Sequence, residues 1–552
     1  MIPLHVHSYY SLLEGVISPD DIIDKALSYN LDAVALTDTN AMHGLIPFYK
    51  KANEKGIKPI LGTYIDEPIT KDSPLSLLRR GAGGEVPYAL FLAKNFNGYS
   101  DICKIITSRK LKKDFSLFRL LQEYLPDLFI ISPSAELLRS VPSYDNIYAE
   151  LIITDEQRKN SLLLYELAQN RKFKYIISNP VYFSGPEDFL LHKVVTAVKY
   201  RDTFENIKKE YLIDKEFYFK HPDSFLKYFR KIPEAFYNTG YIAENCNVDL
   251  HLGKHKFPIY TDRKKEDSFS YLWKISNAGL EMRYNKITSA IRKRFEDEMN
   301  VIYNLGIADY FLVVWDIHRE AQRRGMVTIG RGSAANSIIS YCLGFTQVDP
   351  IEHNFYFERF LNKSRSSPPD IDIDFSWRER DEIIRYVFEK YGFDKVAMIS
   401  THVTIRARSA FREVAKVFGI SEQETNKISK RIPWTDARNL PEVSRLYPEA
   451  KSLKLDIEPW STIVSVASKL ANFPRHLSIH PGGIVIAPQK ITTYTALEFA
   501  KNKGLGLIIT QPDMHAIEDI GLVKIDLLSQ RSLGVLRETI KQIETNNSNY
   551  HA

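Results

Sequence analysis

One stretch restricts the fold of this chain more than any other: Pro368-Pro369-Asp370-Ile371-Asp372-Ile373-Asp374-Phe375. Acidic and apolar residues alternate behind two prolines, and a period of two is the signature of a half-buried strand. Ile371, Ile373 and Phe375 then share one face, and Asp370, Asp372 and Asp374 the other. Three like charges on one face need compensation. A divalent metal held by oxygen ligands supplies it. The competing reading is a solvated strand edge, where repeated charges block edge-to-edge pairing.

The chain around this stretch is long enough, at 552 residues, for several domains with large cores. A formal net charge of +6 permits a nucleic-acid partner without requiring one. Cys103, Cys246 and Cys342 lie far apart, so the sequence predicts neither a disulfide framework nor a zinc site, and a reducing cytoplasm suits it. The first residues lack the basic and apolar regions of a signal peptide, and no apolar run reaches transmembrane length, so no membrane partner is expected.

The first third alternates short strands and helices, which predicts an α/β layered or barrel domain. Leu4 to His7, Ala33 to Asp38, Lys58 to Gly62, Tyr88 to Leu92, Leu128 to Ser132 and Tyr175 to Ser178 read as strands. Ser73 to Val86 reads as a glycine-rich loop carrying Arg79 and Arg80. His5-Val6-His7 sets two imidazoles on one face of a strand end, a metal-ligand spacing that is weak evidence alone. The opening Leu4 to Gly15, with Ala35-Leu36-Thr37-Asp38, Ile57 to Gly62 and Leu92 to Tyr99, resembles the PHP (polymerase and histidinol phosphatase) domain, a distorted β/α barrel. Metal-binding members carry a histidine where this chain has Thr39, an acid where it has Tyr64, and an Asp-x-His pair where it has Pro180 and Tyr182. His5, His7 and Glu14 survive from the first block. The resemblance therefore implies a degenerate, structural PHP domain without phosphoesterase activity.

Tyr211 to Asp249 is expected to be mostly helical, and a domain boundary falls between Phe257 and Ser268. Ile291, Phe295, Met299 and Ile302 form a buried helical stripe, with Gly306 as its stop and Arg292, Lys293 and Arg294 on a solvated face. Thr328-Ile329-Gly330-Arg331-Gly332-Ser333 is a strand meeting glycines, with a helix expected from near Ala334. Glycines admit close backbone approach, a helix N-terminus attracts anions and Arg331 is a bidentate phosphate partner. The stretch reads as a phosphate cradle or, more blandly, a tight strand-to-helix turn. Beside a carboxylate strand, a cradle suggests metal-assisted phosphoryl or nucleotidyl transfer.

Gly330 to Ala335, Thr346 to Pro350 and Pro369 to Phe375 together resemble the palm of the alpha subunit of bacterial DNA polymerase III, a C-family replicative polymerase. Gly521 to Leu528 resembles its later strand. The resemblance implies a nucleotidyltransferase-type palm in which Asp372, Asp374 and Asp526 hold two Mg²⁺, with Asp370 as a supporting acid. Arg331, Gly332, Ser333 and Lys524 would meet nucleotide phosphate. A helical insert resembles the thumb. Arg408, Arg412 and Lys416 form a basic stripe there, and Arg475 and His476 lie in a further matching block, all expected to contact DNA. The expected division is multidomain α/β and α+β: PHP domain with connector at 1–257, palm at 258–403 and 491–552, thumb at 404–490. Expected partners are primer–template DNA, deoxynucleoside triphosphate, and other replisome subunits or a second chain supplying the fingers. The chain ends at Ala552, soon after Asp526, with a frayed tail from Asn546. The expectation is therefore weak polymerisation by the isolated chain. The alternatives are a split or truncated paralogue serving as a DNA-binding or assembly module, and a PHP phosphoesterase or exonuclease.

Overall fold

The computed structural model describes residues 2–69, 86–262, 266–361, 369–500 and 506–546. Pro368, the expected loop at 73–85 and the tail from 547 lie outside them. The chain divides into two compact units. One comprises Met1–Leu250, Thr401–Ser478 and Thr495–Asn502, the other His251–Ser400, Ile479–Tyr494 and Lys503–Ala552. No helix among the described residues is long and apolar enough to cross a membrane.

The first unit carries six strands in sequential order: β1 (Ala33–Leu36), β2 (Lys58–Asp66), β3 (Tyr88–Ala93), β4 (Leu128–Ser132), β5 (Ile147–Ile152) and β6 (Lys174–Ser178). β1–β2, β4–β5 and β5–β6 pair in parallel, while β2–β3 and β3–β4 are antiparallel. The segment expected as the first strand makes a single bridge, Val6 to Val181. It works as a closure. Ala35 and Thr37 donate to Pro3 O and Val6 O on one side, and His7 N and Val181 O, with Val181 N and His5 O, pair on the other. One short segment thus joins both ends of a curled sheet, as the barrel expectation required. Alternate residues Ala35, Ile60, Leu90, Leu92, Ile131, Tyr148 and Ile176 fill its inside, where burial of apolar area is the main stabilising term.

The helices expected as a thumb share a second core in this unit. Phe411 and Val414 of the helix Ala407–Val417, and Ile463 and Ala467 of Trp460–Ser468, pack with Val194, Val195 and Val198 of the helix Phe189–Tyr200. Phe204 N donates to Val417 O at 2.7 Å, which fixes the two segments by backbone as well as by burial. The region expected to be mostly helical from Tyr211 is so chiefly over Pro233–Asn245, with Pro233 at its first turn.

The second unit is built on β7 (Thr328–Arg331), β8 (Asp372–Ser376), β9 (Val396–Thr404) and β10 (Pro474–Ile486). The three-residue β11 (Leu497–Phe499) falls in the first unit, and β12 (Ile508–Asp513) and β13 (Lys524–Gln530) complete the second. The order is β12–β9–β10–β13–β8–β7. The mixed directions put the acidic strand second from one edge. β13 and β8 are parallel, and β10–β13 and β7–β8 antiparallel. Ile371, Ile373 and Phe375 are fully buried on the packed face, as the alternation predicted. The apolar run Tyr310–Trp315 and the stretch after it form one helix, Ala308–Arg323.

Candidate functional site

Register creates the site. Gly483 of β10 lies opposite Asp526 of β13, Asp526 opposite Asp372 of β8, and Asp372 opposite Arg331 of β7. Four strands therefore present one row across the sheet, and residues directly opposite each other share a face. Carboxylate oxygens of Asp370, Asp372 and Asp526 come within 4.8 Å of one another. Asp374 is two residues further along β8, opposite Leu528, and its carboxylate turns to Arg331, whose Nε is 3.2 Å from its Oδ1. The structure thus gathers Asp370, read from sequence as a supporting acid, with two of the three expected ligands. Asp374 stands beside the group on the same strand face.

The charges are incompletely balanced. Lys524 Nζ lies 2.6 Å from Asp526 Oδ2 and 3.3 Å from Asp370 Oδ2. Burial alone would lower its pKa, but the hydrogen bond to Asp526 and the field of Asp370 raise it. Asp372 is pushed up to about 6 by burial and by the neighbouring Asp370 and Asp526, against the pull of Lys524 and Arg331. Burial also raises Asp374, opposed by Arg331 and by a hydrogen bond from Gln530. Oδ1 of Asp370 and of Asp526 is buried with no hydrogen-bond donor, and Oδ1 of Asp374 has the ion pair with Arg331 but no hydrogen bond. Buried carboxylate oxygens without a donor are costly. An all-oxygen set of this kind is the donor chemistry of hard divalent cations such as Mg²⁺.

Several neighbours hold this row in place. His480 Nδ1 accepts from Gly483 N at 2.7 Å and Gly482 N at 3.3 Å, so the ring is neutral with its proton on Nε2. Its 3.7 Å approach to Asp526 Oδ1 is consequently no ion pair. Burial lowers the His480 pKa further, against the field of Asp526. Gly483 permits this arrangement: a Cβ there would meet His480 Nδ1 at 2.8 Å. The Tyr310 hydroxyl accepts from Ile371 N at 3.2 Å, and Arg380 Nε donates to Leu527 O at 2.8 Å.

The cradle differs in detail from its expectation. Gly332 has φ +73°, and residues 332–336 form a 3₁₀ turn, with Ser333 O accepting from Asn336 Nδ2 at 2.9 Å. The α-helix begins only at Ile338, and a protein group fills its N-terminus. Glu298 accepts from Ile338 N at 3.2 Å, Ile339 N at 3.4 Å and Ser337 Oγ at 2.7 Å. What remains of the expected cradle outside this filled helix start is Arg331, Gly332 and Ser333. Arg294, expected on a solvated face, pairs with Glu298 at 2.6 Å and donates to Asn336 O and Phe355 O. Sequence reading missed Glu298, although it sits three residues after Phe295 and four before Ile302, an acid on an apolar stripe.

In the first unit, His5 Nδ1 bonds Glu150 Oε1 at 2.8 Å, His5 Nε2 meets His7 Nε2 at 3.0 Å, and His7 Nδ1 meets Ser11 Oγ at 3.0 Å. Glu14 is engaged by Lys199 at 2.5 Å and by the Thr39 hydroxyl at 3.0 Å. Tyr182 stacks on His7 with ring centroids 4.0 Å apart, and Tyr64 meets it edge-on at 5.3 Å. His5 and His7 thus face each other and two phenol rings, while Glu14 faces Lys199 and Thr39. The donor set does not fit the metal cluster of metal-binding PHP domains. Of the expected DNA contacts, Arg412, Lys416 and His476 are exposed, Arg408 Nε donates to Ile432 O, and Arg475 lies 3.7 Å from Glu413.

Residues 270–529 match the family described as the bacterial DNA polymerase III alpha NTPase domain, and residues 3–139 match the PHP domain. An error-prone DNA polymerase of Symbiobacterium thermophilum is 34% identical over 571 residues, covering 98% of this chain and 52% of the relative. The DNA polymerase III alpha subunit of Bacillus subtilis is 31% identical over 565 residues, covering 98% of this chain and 49% of the relative. That of Halalkalibacterium halodurans is also 31% identical, over 567 residues, with 98% and 49% covered. This chain belongs to the DNA polymerase III alpha family. It spans about half the length of the curated relatives it matches.

Proposed function

We propose that this chain carries the nucleotidyl-transfer site of a DNA-directed DNA polymerase. The reaction is attack of a primer 3′ hydroxyl on the α-phosphate of a deoxynucleoside triphosphate, with release of pyrophosphate. The observation that carries the reading is the Asp526–Asp372–Arg331 row, with Asp370 beside it and the Oδ1 atoms of Asp526 and Asp370 buried without a hydrogen-bond donor. Asp372, Asp374 and Asp526 would hold two Mg²⁺, with Asp370 contributing from the same strand face. Bound there, the cations would activate the attacking oxygen and neutralise charge on the leaving group.

The remaining roles belong to side chains. Arg331, nearly half exposed, can turn its guanidinium from Asp374 to a phosphate. Gly332 and Ser333 leave space and backbone amides beside it. Lys524 neutralises Asp526 and Asp370 between turnovers and offers its charge to incoming phosphate. Arg408, Arg412, Lys416, Arg475 and His476 would track the DNA backbone. Primer–template DNA and deoxynucleotide are the proposed substrates, with further replisome subunits or a chain supplying the fingers as partners. The aromatic enclosure of His5 and His7 argues for a structural PHP domain rather than a phosphoesterase.

The test is Mg²⁺-dependent addition of one nucleotide to a labelled primer–template by the purified chain. The proposal expects addition that disappears in Asp372→Ala. Addition by Asp372→Ala at the wild-type rate would refute it. DNA binding that falls steeply with salt, without addition by wild type, would favour the second reading, a DNA-binding or assembly module.

A further inference from the structure

The thumb-like helices expose a tryptophan that no core requires. Trp434 is 85% exposed in the turn Ile432–Asp436. An exposed indole is ordinary when its loop is loose, but this turn is pinned on both sides. Before Trp434, Arg408 Nε donates to Ile432 O, and Ile432 N bonds Ser429 O at 3.3 Å. After it, Ala407 N donates to Thr435 O at 3.3 Å, the Tyr447 hydroxyl meets Thr435 Oγ1 at 2.7 Å, and Asn439 Nδ2 donates to the same oxygen at 2.8 Å. Ile432 and Pro433 are buried. The backbone is fixed while the ring projects into solvent.

The surroundings are cationic. Lys430 and Arg431 immediately precede the turn and are exposed. Arg406 and Arg408 flank Ala407, which bonds to the turn, and are exposed as well. Arg438 follows, paired at 3.0 Å with Asp436, the acid of the turn, whose carboxylate also feels Arg406. One acid thus stands among five cations. An exposed indole on a pinned turn, with guanidinium and ammonium groups on the adjoining residues, is the chemistry that holds an unpaired nucleotide: the base stacks and the cations track its phosphates. Bases within a duplex bury their faces against each other, so a stacking platform selects a single strand.

We propose that Trp434, with Arg406, Arg408, Lys430, Arg431 and Arg438, is a stacking site for single-stranded DNA. This site lies in the first unit and does not depend on the carboxylate reading, so either can fail alone. The test measures binding of a labelled oligothymidylate and of a hairpin duplex to wild type, Trp434→Ala, Trp434→Phe and Lys430→Ala/Arg431→Ala, by fluorescence anisotropy across a salt series. Trp434→Ala is expected to weaken oligothymidylate binding about tenfold, with duplex binding and the salt slope unchanged. Trp434→Phe restores most of the affinity, and the double cation variant flattens the salt slope. Melting curves are expected to show Trp434→Ala as stable as wild type, because the ring is exposed. Unchanged oligothymidylate binding in Trp434→Ala overturns the proposal, as does an equal loss for duplex and single strand.

Discussion

Glu298 is the buried group on which the cradle depends, and replacing it tests that dependence. Its side chain is 1% exposed, and its two oxygens accept from Arg294, Ser337 Oγ, Ile338 N and Ile339 N. Glu298→Ala leaves Arg294 without its anion and three donors without an acceptor. Removing one partner of a buried ion pair costs about 3–5 kcal/mol. Arg294 is 24% exposed and keeps two carbonyl acceptors, so the lower end, about 3 kcal/mol, applies. With a urea dependence of ~2 kcal/mol per molar, the midpoint falls by about 1.5 M. Trp273, on the helix Ser268–Arg283, is a built-in reporter, since its ring meets Phe295 of the Glu298 helix Ser289–Leu305 at 5.4 Å. Tryptophan fluorescence through a urea titration, to which Trp273 contributes as one of five tryptophans, is the assay. Glu298→Leu combined with Arg294→Met should cost less than the two single changes together, because the stranded charge is gone. A midpoint shift for Glu298→Ala that corresponds to under about 0.5 kcal/mol, the range of surface substitutions, would refute the reasoning.

Two buried histidines set an acid limit on stability. His192 accepts from Ile213 N at 3.1 Å and lies 2.9 Å from Glu14 O, and burial holds both His192 and His318 near 4, down from 6.5. The unfolded chain takes up these protons as pH falls through 6.5 and the folded chain does not until about 4. Stability is therefore full above the upper value and drops across that window by about 3 kcal/mol per histidine, measurable as melting temperature against pH. A Cβ at position 330 would sit 2.0 Å from Phe345 O, so Gly330→Ala should unfold at lower urea by at least about 2 kcal/mol. Gly240, with nothing within 4 Å in the helix Pro233–Asn245, is the control: Gly240→Ala should raise stability by about 0.5–1 kcal/mol in the same titration.

The acidic strand was legible because its period of two is a local property: Ile371, Ile373 and Phe375 are buried as that period demands. Five of the first unit's six strands were legible instead as short apolar runs, several buried on both faces, while β5 (Ile147–Ile152) was not among the expected strands. What escaped depends on distant contacts. Nothing local tells whether Asp370 or Asp374 turns toward Asp526, since that choice is made by Lys524 and Arg331. Local spacing likewise assigned Arg294 to solvent, because its acceptor carbonyls belong to Asn336 and Phe355. The helix expected from Ala334 starts late because Gly332 turns the chain at positive φ and Ser337 caps the next segment. Asp526 itself was identified by its resemblance to a family strand rather than by pattern. The register that sets it opposite Asp372 joins residues 154 positions apart by their numbers.

The central claim is that the carboxylates on β8 and β13 form a divalent-cation site. Its most direct test is titration of the chain with Mn²⁺, followed by the loss of the free-ion electron paramagnetic resonance signal. Wild type, Asp372→Asn, Asp526→Asn and His5→Ala are compared. The account predicts that each aspartate variant, isosteric but uncharged, weakens binding about tenfold or more while His5→Ala leaves it unchanged. Equal Mn²⁺ binding by wild type and Asp526→Asn, or a loss confined to His5→Ala, would contradict it.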